Sequence, residues 1–211
     1  MKAGKKLILI GGGGHCKAVI DVLLSSGRSI FGIIDNALKK GSSILGIPVI
    51  GSDDNLSDLV NDDVEFLITV GQIKTPDIRH KLARKIAQAG GVLSSPVIAN
   101  SAHIAIGVTI GNGTVVMHNA IINSNAQIGE NAIINTAAII EHDCYIGNFT
   151  HISTGAIVNG CSTIGDNTFI GSHATIANVI NIANDSVIGA GSVVINDITH
   201  SGIYYGVPTK P

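Results

Sequence analysis

The run Glu141-His142-Asp143 concentrates groups able to move a proton, and His151 follows nine residues later. Histidine titrates near neutral pH, and a carboxylate beside it can fix the ring's tautomer and raise its basicity. Such a pair suits removal of a proton from an amine or hydroxyl as it attacks a carbonyl carbon. No serine or cysteine stands out as a nucleophile paired with this base. His103 and His118 lack acidic neighbours and read as solvated turn residues.

A second group of residues suits a phosphate or a sugar. Gly11–Gly14 follow the short apolar run Lys6–Ile10 and precede His15–Leu24, whose Val19, Ile20, Leu23 and Leu24 recur at helical spacing. Free backbone amides at a helix N-terminus attract anions. The glycines do not complete G-x-G-x-x-G, because Cys16 takes the last position, and they serve either a ligand or only the tight turn. Asp35 ends a second strand, Ile30–Ile34, where dinucleotide folds keep a ribose-binding acid. A third strand, Glu65–Val70, ends at Gly71. A helix is expected over Pro76–Ala89, with Thr75 as N-cap, Pro76 at its first position and Gly90 closing it. Strand, glycine turn, helix and strand make a βαβ unit, so the first part of the chain is expected to be a small Rossmann-like α/β domain.

The elements that must position His142 are of another kind. Starting from Ile104 and stepping by six, sixteen consecutive positions up to Val194 hold thirteen Ile and three Val, without a miss or an insertion. A small residue usually sits two places earlier (Ala120, Ala126, Ala132, Ala138, Cys144), and Gly often follows, as at Gly111, Gly129, Gly147 and Gly165. A helical period would scatter these positions around its circumference. A period of six gives one short strand and one turn per face of a triangular coil, with aliphatic side chains stacked inward. Cys144 falls at an inward position and reads as core filler. His118 and His142 are 24 residues apart, which places them on different faces, so histidines converging on a metal are not expected.

Composition agrees. The 211 residues are 45% hydrophobic and only 3% aromatic, with 26 glycines and a mean hydropathy of +0.41, as a column of branched side chains requires. No apolar run approaches the ~18 residues of a spanning helix, and Lys6–Ile10 breaks at once into glycines, so no membrane insertion or signal peptide is expected. A net charge of −2 argues against a nucleic-acid partner. Three cysteines, without a CxxC pair, suit a reduced cytoplasmic chain with no zinc site. Twelve of the 13 Lys and Arg lie between Lys2 and Lys85, and the last is Lys210. That shift marks a boundary near Ser94-Ser95-Pro96 and two domains, residues 1–93 and 94–211. At about 90 residues with an incomplete glycine fingerprint, the first is short for a full dinucleotide site, which disfavours an NAD(P) enzyme.

The hexapeptide repeat resembles that of the left-handed parallel β-helix acyltransferases, and the handedness rests on that resemblance. The two-domain order, the opening Gly11-Gly12-Gly13-Gly14-His15-Cys16-Lys17-Ala18-Val19, the run from Asn135 through Glu141-His142-Asp143-Cys144 to His151, and the ending Gly206-Val207-Pro208-Thr209-Lys210 are similar to the bacterial sugar acyltransferases. That family includes sialic acid O-acetyltransferases and N-acetyltransferases of UDP-linked 4-amino-4,6-dideoxy sugars. The likeness covers the whole chain.

The resemblance implies an acetyl-CoA-dependent homotrimer in which His142 is the general base and Asp143 orients it. Where relatives carry Glu after the His, Asp143 is one methylene shorter. Asn135 and His151 would line the same site, and the Gly160 N–H would face the oxyanion. Gly160, Gly171, Ser172 and Ala190 would hold the pantetheine arm. With no other Lys or Arg after Lys85, CoA's phosphates would depend on Lys210. The first domain would hold a nucleotide sugar through Gly14, His15, Asp35, Asn36, Gly71 and Gln72, with Lys17 and Arg79 as possible charge partners. A UDP-amino sugar is the expected acceptor. O-acetylation of sialic acid or a related nonulosonic acid is the alternative.

Overall fold

A computed structural model describes residues 5–210. The first unit is a five-stranded sheet. Strands β1 (Lys6–Ile10), β2 (Ile30–Ile34), β3 (Ser43–Ile44), β4 (Ile47–Gly51) and β5 (Val64–Ile68) lie in the order β3-β4-β2-β1-β5. All neighbours run parallel except β3 and β4. Helices α1 (Gly14–Ser25), α2 (Leu56–Leu59) and α3 (Asp77–Gln88) complete it. The expected βαβ unit is present. The β3–β4 hairpin went unread because Gly46 and Pro48 break its pattern. Helix α3 begins at Asp77, with Pro76 as N-cap, while Thr75 Oγ1 still accepts the Asp77 N–H at 3.2 Å.

From Val97 the chain winds into a β-helix of two-residue strands. The first face stacks the strands at Val97–Ile98, Val115–Val116, Ile133–Ile134, His151–Ile152, Phe169–Ile170 and Val187–Ile188. The second runs from His103–Ile104 through Ile121–Ile122, Ile139–Ile140 and Ile157–Val158 to Val193–Val194, and the third from Thr109–Ile110 to Asn181–Ile182. Register advances by 18 residues per coil, as in Ile122↔Ile140↔Val158. From Val116 to Val194 the aliphatic column is buried, with Cys144 and the small alanines beside it. Each turn has a residue of positive φ, recurring every six residues from Gly107 to Gly191. No helix among the described residues is long and apolar enough to cross a membrane.

The two units share a core. Leu7, Leu9, Val19 and Leu23 pack in one cluster with Val97, Ala99, Val115 and Met117 of the first face. Helix α1 therefore lies against the β-helix, and that contact sets where the glycine loop sits relative to the coil.

Candidate active site

His142 stands on the corner between the second and third faces, two residues past the inward-facing Ile140. Its Nδ1 lies 2.8 Å from Asp143 Oδ2. The other Asp143 oxygen accepts Asn125 Nδ2, one coil earlier, at 3.3 Å. Asp143 has φ +59°, a conformation that Asp tolerates better than most residues. The hydrogen bonds from His142 and then Asn125 hold the Asp143 carboxyl below the usual carboxylate range. An ionised Asp143 keeps the proton on Nδ1, leaving Nε2 with a free lone pair.

One coil later, Gly160 lies against this ring. A Cβ at Gly160 would stand 2.8 Å from both Cε1 and Nε2 of His142. At the corner between the third and first faces, the equivalent N–H groups are occupied: Glu130, Asn148 and Asp166 donate to the side chains of Asn148, Asp166 and Asn184 at 2.8, 2.6 and 2.9 Å. The Gly160 N–H makes no hydrogen bond to another described residue. A free donor beside a base is what a developing oxyanion needs.

Sequence reasoning passed over Cys161. Its thiol is exposed, and ligand atoms of His142, Asp143 and Cys161 lie within 4.8 Å of one another. The clue was arithmetic, since 161 is 143 plus one 18-residue coil. Cys144, by contrast, is buried with Sγ against the Asn159 carbonyl at 3.2 Å.

Other expected site residues gather on the first face, away from His142. Asn135 Nδ2 donates to His151 Nε2 at 3.0 Å, and His151 Nδ1 lies 2.5 Å from the Gln72 carbonyl oxygen. Gln72 Nε2 donates to the Phe149 carbonyl at 2.8 Å. With both ring nitrogens engaged and 7% of its surface exposed, His151 ties the Gly71–Gln72 loop to the β-helix. Burial lowers its pKa to about 4. His15, at the start of α1, packs near Gly71 with Nε2 buried and unpaired. Burial, then the Arg79 and His151 charges, lower its pKa to about 3.

Arg79, expected as a charge partner for the ligand, is only 1% exposed and donates to the carbonyls of Ile68, Val70 and Asn131 at 3.2, 2.6 and 2.7 Å. It clamps α3 to the β-helix. Lys17 is exposed on α1.

A cleft of about 280 Å³ opens beyond the ends of β1, β2 and β5, lined by Gly11, Asp35, Asn36, Asp53, Ile78 and Lys81 among others. Asp35 is committed to the loop, accepting Gly12 N at 2.7 Å and Ala37 N at 2.8 Å. Asn36 Oδ1 accepts Asp53 N at 3.0 Å. The glycines divide the two roles left open above. Gly11 has φ +100°, and a Cβ at Gly12 would press on the Leu38 and Ile44 side-chain tips at 2.5 and 2.8 Å, whereas Gly13 and Gly14 face open space. Lys81 and Asp53 went unread because an exposed helical Lys and a loop Asp carry no local signature.

The residues expected at CoA lie on different parts of the coil. Ser172 and Ala190 occupy the corner between the first and second faces, with Ser172 Oγ 3.0 Å from Ser153 Oγ. Gly171 owes its identity to coil packing, because a Cβ would come within 2.5 Å of Ala190 N. Lys210 is exposed in a terminal hairpin, paired with Tyr205. One chain therefore does not bring Ser172 and Ala190 to His142 and Gly160.

Residues 6–86 match the PglD N-terminal domain, and residues 143–178 match the bacterial transferase hexapeptide (six repeats). The acetyltransferase domain of PglB from Neisseria gonorrhoeae FA1090 is 30% identical over 99% of this chain and 100% of its own, with a TM-score of 0.91. It has also been solved in complex with acetyl coenzyme A. PerB from Caulobacter crescentus, in complex with CoA and GDP-perosamine, is 31% identical over 100% of this chain and 97% of its own, with a TM-score of 0.75. WeeI from Acinetobacter baumannii AYE is 25% identical over 98% and 99%, with a TM-score of 0.86. No curated protein matches the sequence.

Proposed function

The chain belongs to the bacterial hexapeptide-repeat sugar acetyltransferases, and on that premise we propose that it transfers the acetyl group of acetyl-CoA directly to the 4-amino group of a nucleotide-linked 4-amino-4,6-dideoxy sugar, the UDP sugar being the expected form. The observation that carries this reading is the His142–Asp143 pair set over Gly160. The amine attacks the thioester carbonyl while His142 Nε2 takes its proton. The tetrahedral oxyanion forms beside the Gly160 N–H. Collapse releases the CoA thiolate, which recovers the proton from the imidazolium, leaving an amide and free CoA thiol. The cleft lined by Asp35, Asn36 and Lys81 suits the nucleotide. Gly14 and His15 would lie toward the sugar, with Gly71, Gln72, Asn135 and His151 shaping that end.

Base and sugar domain lie on different sides of one chain, so the reading requires a neighbouring copy. The second face turns Ile121, Ile139, Ile157 and Val193 outward, and Ile121 is 36% exposed. Packing such faces around a threefold axis would set His142 of one chain beside Ser172, Ala190 and the first domain of the next. Sedimentation should return three chains, and Ile139→Glu should dissociate them with loss of turnover. A monomeric wild-type chain with full activity would refute this arrangement.

The acceptor is tested by thiol release from acetyl-CoA with UDP- and GDP-linked 4-amino sugars and free sialic acids. Turnover confined to sialic acids would overturn the N-acetyl reading.

A further inference from the structure

We propose that His142, Asp143 and Cys161 form a binding site for a thiophilic divalent cation of the Zn²⁺ type, and that filling it switches transfer off. The cluster offers an imidazole nitrogen, a carboxylate oxygen and a thiol sulfur, all within 4.8 Å of one another and all exposed to an incoming ion. This is the nitrogen, oxygen and sulfur donor set that Zn²⁺ takes with tetrahedral geometry, three protein ligands leaving a fourth place for water.

The coil brings the ligands together. Asp143 and Cys161 occupy the same left-handed corner position one turn apart, with φ +59° and +60°, so their side chains leave the coil in register. Cys161 N–H donates to the His142 carbonyl at 3.0 Å, tying the two turns together. Asn125 holds the far Asp143 oxygen, the outer support that orients a ligand.

The charge favours a cation. A thiolate and a carboxylate neutralise a divalent ion, and binding releases the thiol proton to solvent: Cys–SH plus Zn²⁺ gives Cys–S–Zn⁺ and H⁺. No Lys or Arg lies between Ile86 and Thr209 to compete for Asp143.

Inhibition follows because an ion shared with Asp143 sits on His142 Nδ1, the nitrogen 2.8 Å from that carboxylate, which moves the ring's proton to Nε2 and fills the lone pair that would accept the substrate's proton. That consequence rests on the reading of His142 as base; coordination does not. The two are separated by probing the full chain with Co²⁺ and then Zn²⁺. Co²⁺ should give a near-ultraviolet thiolate-to-cobalt band that Zn²⁺ abolishes. The band should vanish in Cys161→Ser and weaken in Asp143→Asn. Zn²⁺ should inhibit acetyl transfer reversibly, with a chelator restoring it. Measured against its own metal-free turnover, Cys161→Ser should need at least ~100-fold more Zn²⁺ for half-inhibition, since losing a ligand costs no less than the ~10–100-fold of losing an outer support. No cobalt band, or one of equal strength in Cys161→Ser, overturns the site. A band lost in Cys161→Ser alongside undiminished turnover in Zn²⁺ keeps the site and overturns the inhibition. If His142→Ala keeps its turnover, the base assignment fails, and the cobalt band still decides the site.

Discussion

Replacing Gly160 by alanine tests the catalytic geometry with one methyl group. Gly160 does not have a positive φ, so alanine meets no backbone strain there. Its Cβ would instead stand 2.8 Å from Cε1 and Nε2 of His142 and 3.3 Å from Cδ2. Ordinary carbon contacts lie at ~3.5–4.0 Å, so the ring must retreat by roughly 1 Å. The His142 side chain is 55% exposed and can swing outward, which spares the fold. The aliphatic column is untouched, because Val158 and Ile164 point inward on either side. Retreat moves Nε2 off its line to the attacking amine and stretches the Asp143 hydrogen bond. A misplacement of ~1 Å costs on the order of 10²-fold in rate. The expected result is kcat lowered about 100-fold, KM for the sugar nearly unchanged and Tm within ~2 °C of wild type. Wild-type kcat in a folded Gly160→Ala variant would refute the placement of His142 as base over Gly160.

His142→Ala should lower kcat by ~10²–10⁴-fold with unchanged far-ultraviolet circular dichroism, since the ring lies outside the core; near-wild-type turnover would remove it as base. Lys210→Ala should raise the KM for acetyl-CoA by ~10-fold, the weight of one charge-assisted hydrogen bond, and the effect should shrink with added salt; an unchanged KM at low salt would place the phosphate anchor elsewhere. Acidification should loosen the contact between the two units. His15 and His151 have folded pKa values of about 3 and about 4, below the ordinary 6.5, so the unfolded chain binds more protons between those values. Stability is then complete above pH 6.5 and declines as pH falls toward 4, by about 2 kcal/mol per histidine at pH 5. Urea midpoints at pH 7.5 and 5 measure this, and a flat profile would contradict both buried neutral histidines.

The hexapeptide column was legible because its spacing is a one-dimensional consequence of the coil: every sixth side chain must be aliphatic and every neighbour small. The His142–Asp143 pair was legible too, since adjacent residues share a corner whatever surrounds them. The hydrogen bond of His151 to the Gln72 carbonyl was not, because it joins residues 79 positions apart across two units. Arg79 read as a ligand partner, yet its carbonyl acceptors come from β5, its following loop and a β-helix turn, and no local pattern in α3 announces them. Cys161 falls between. Its distance of one coil from Asp143 was written in the repeat, but only the closed corner turns show that the two side chains leave on the same side. Periodicity determines what repeats along the chain axis. Which side chains meet across faces, and which titratable groups become dry, is decided by packing that exists only after the chain has folded.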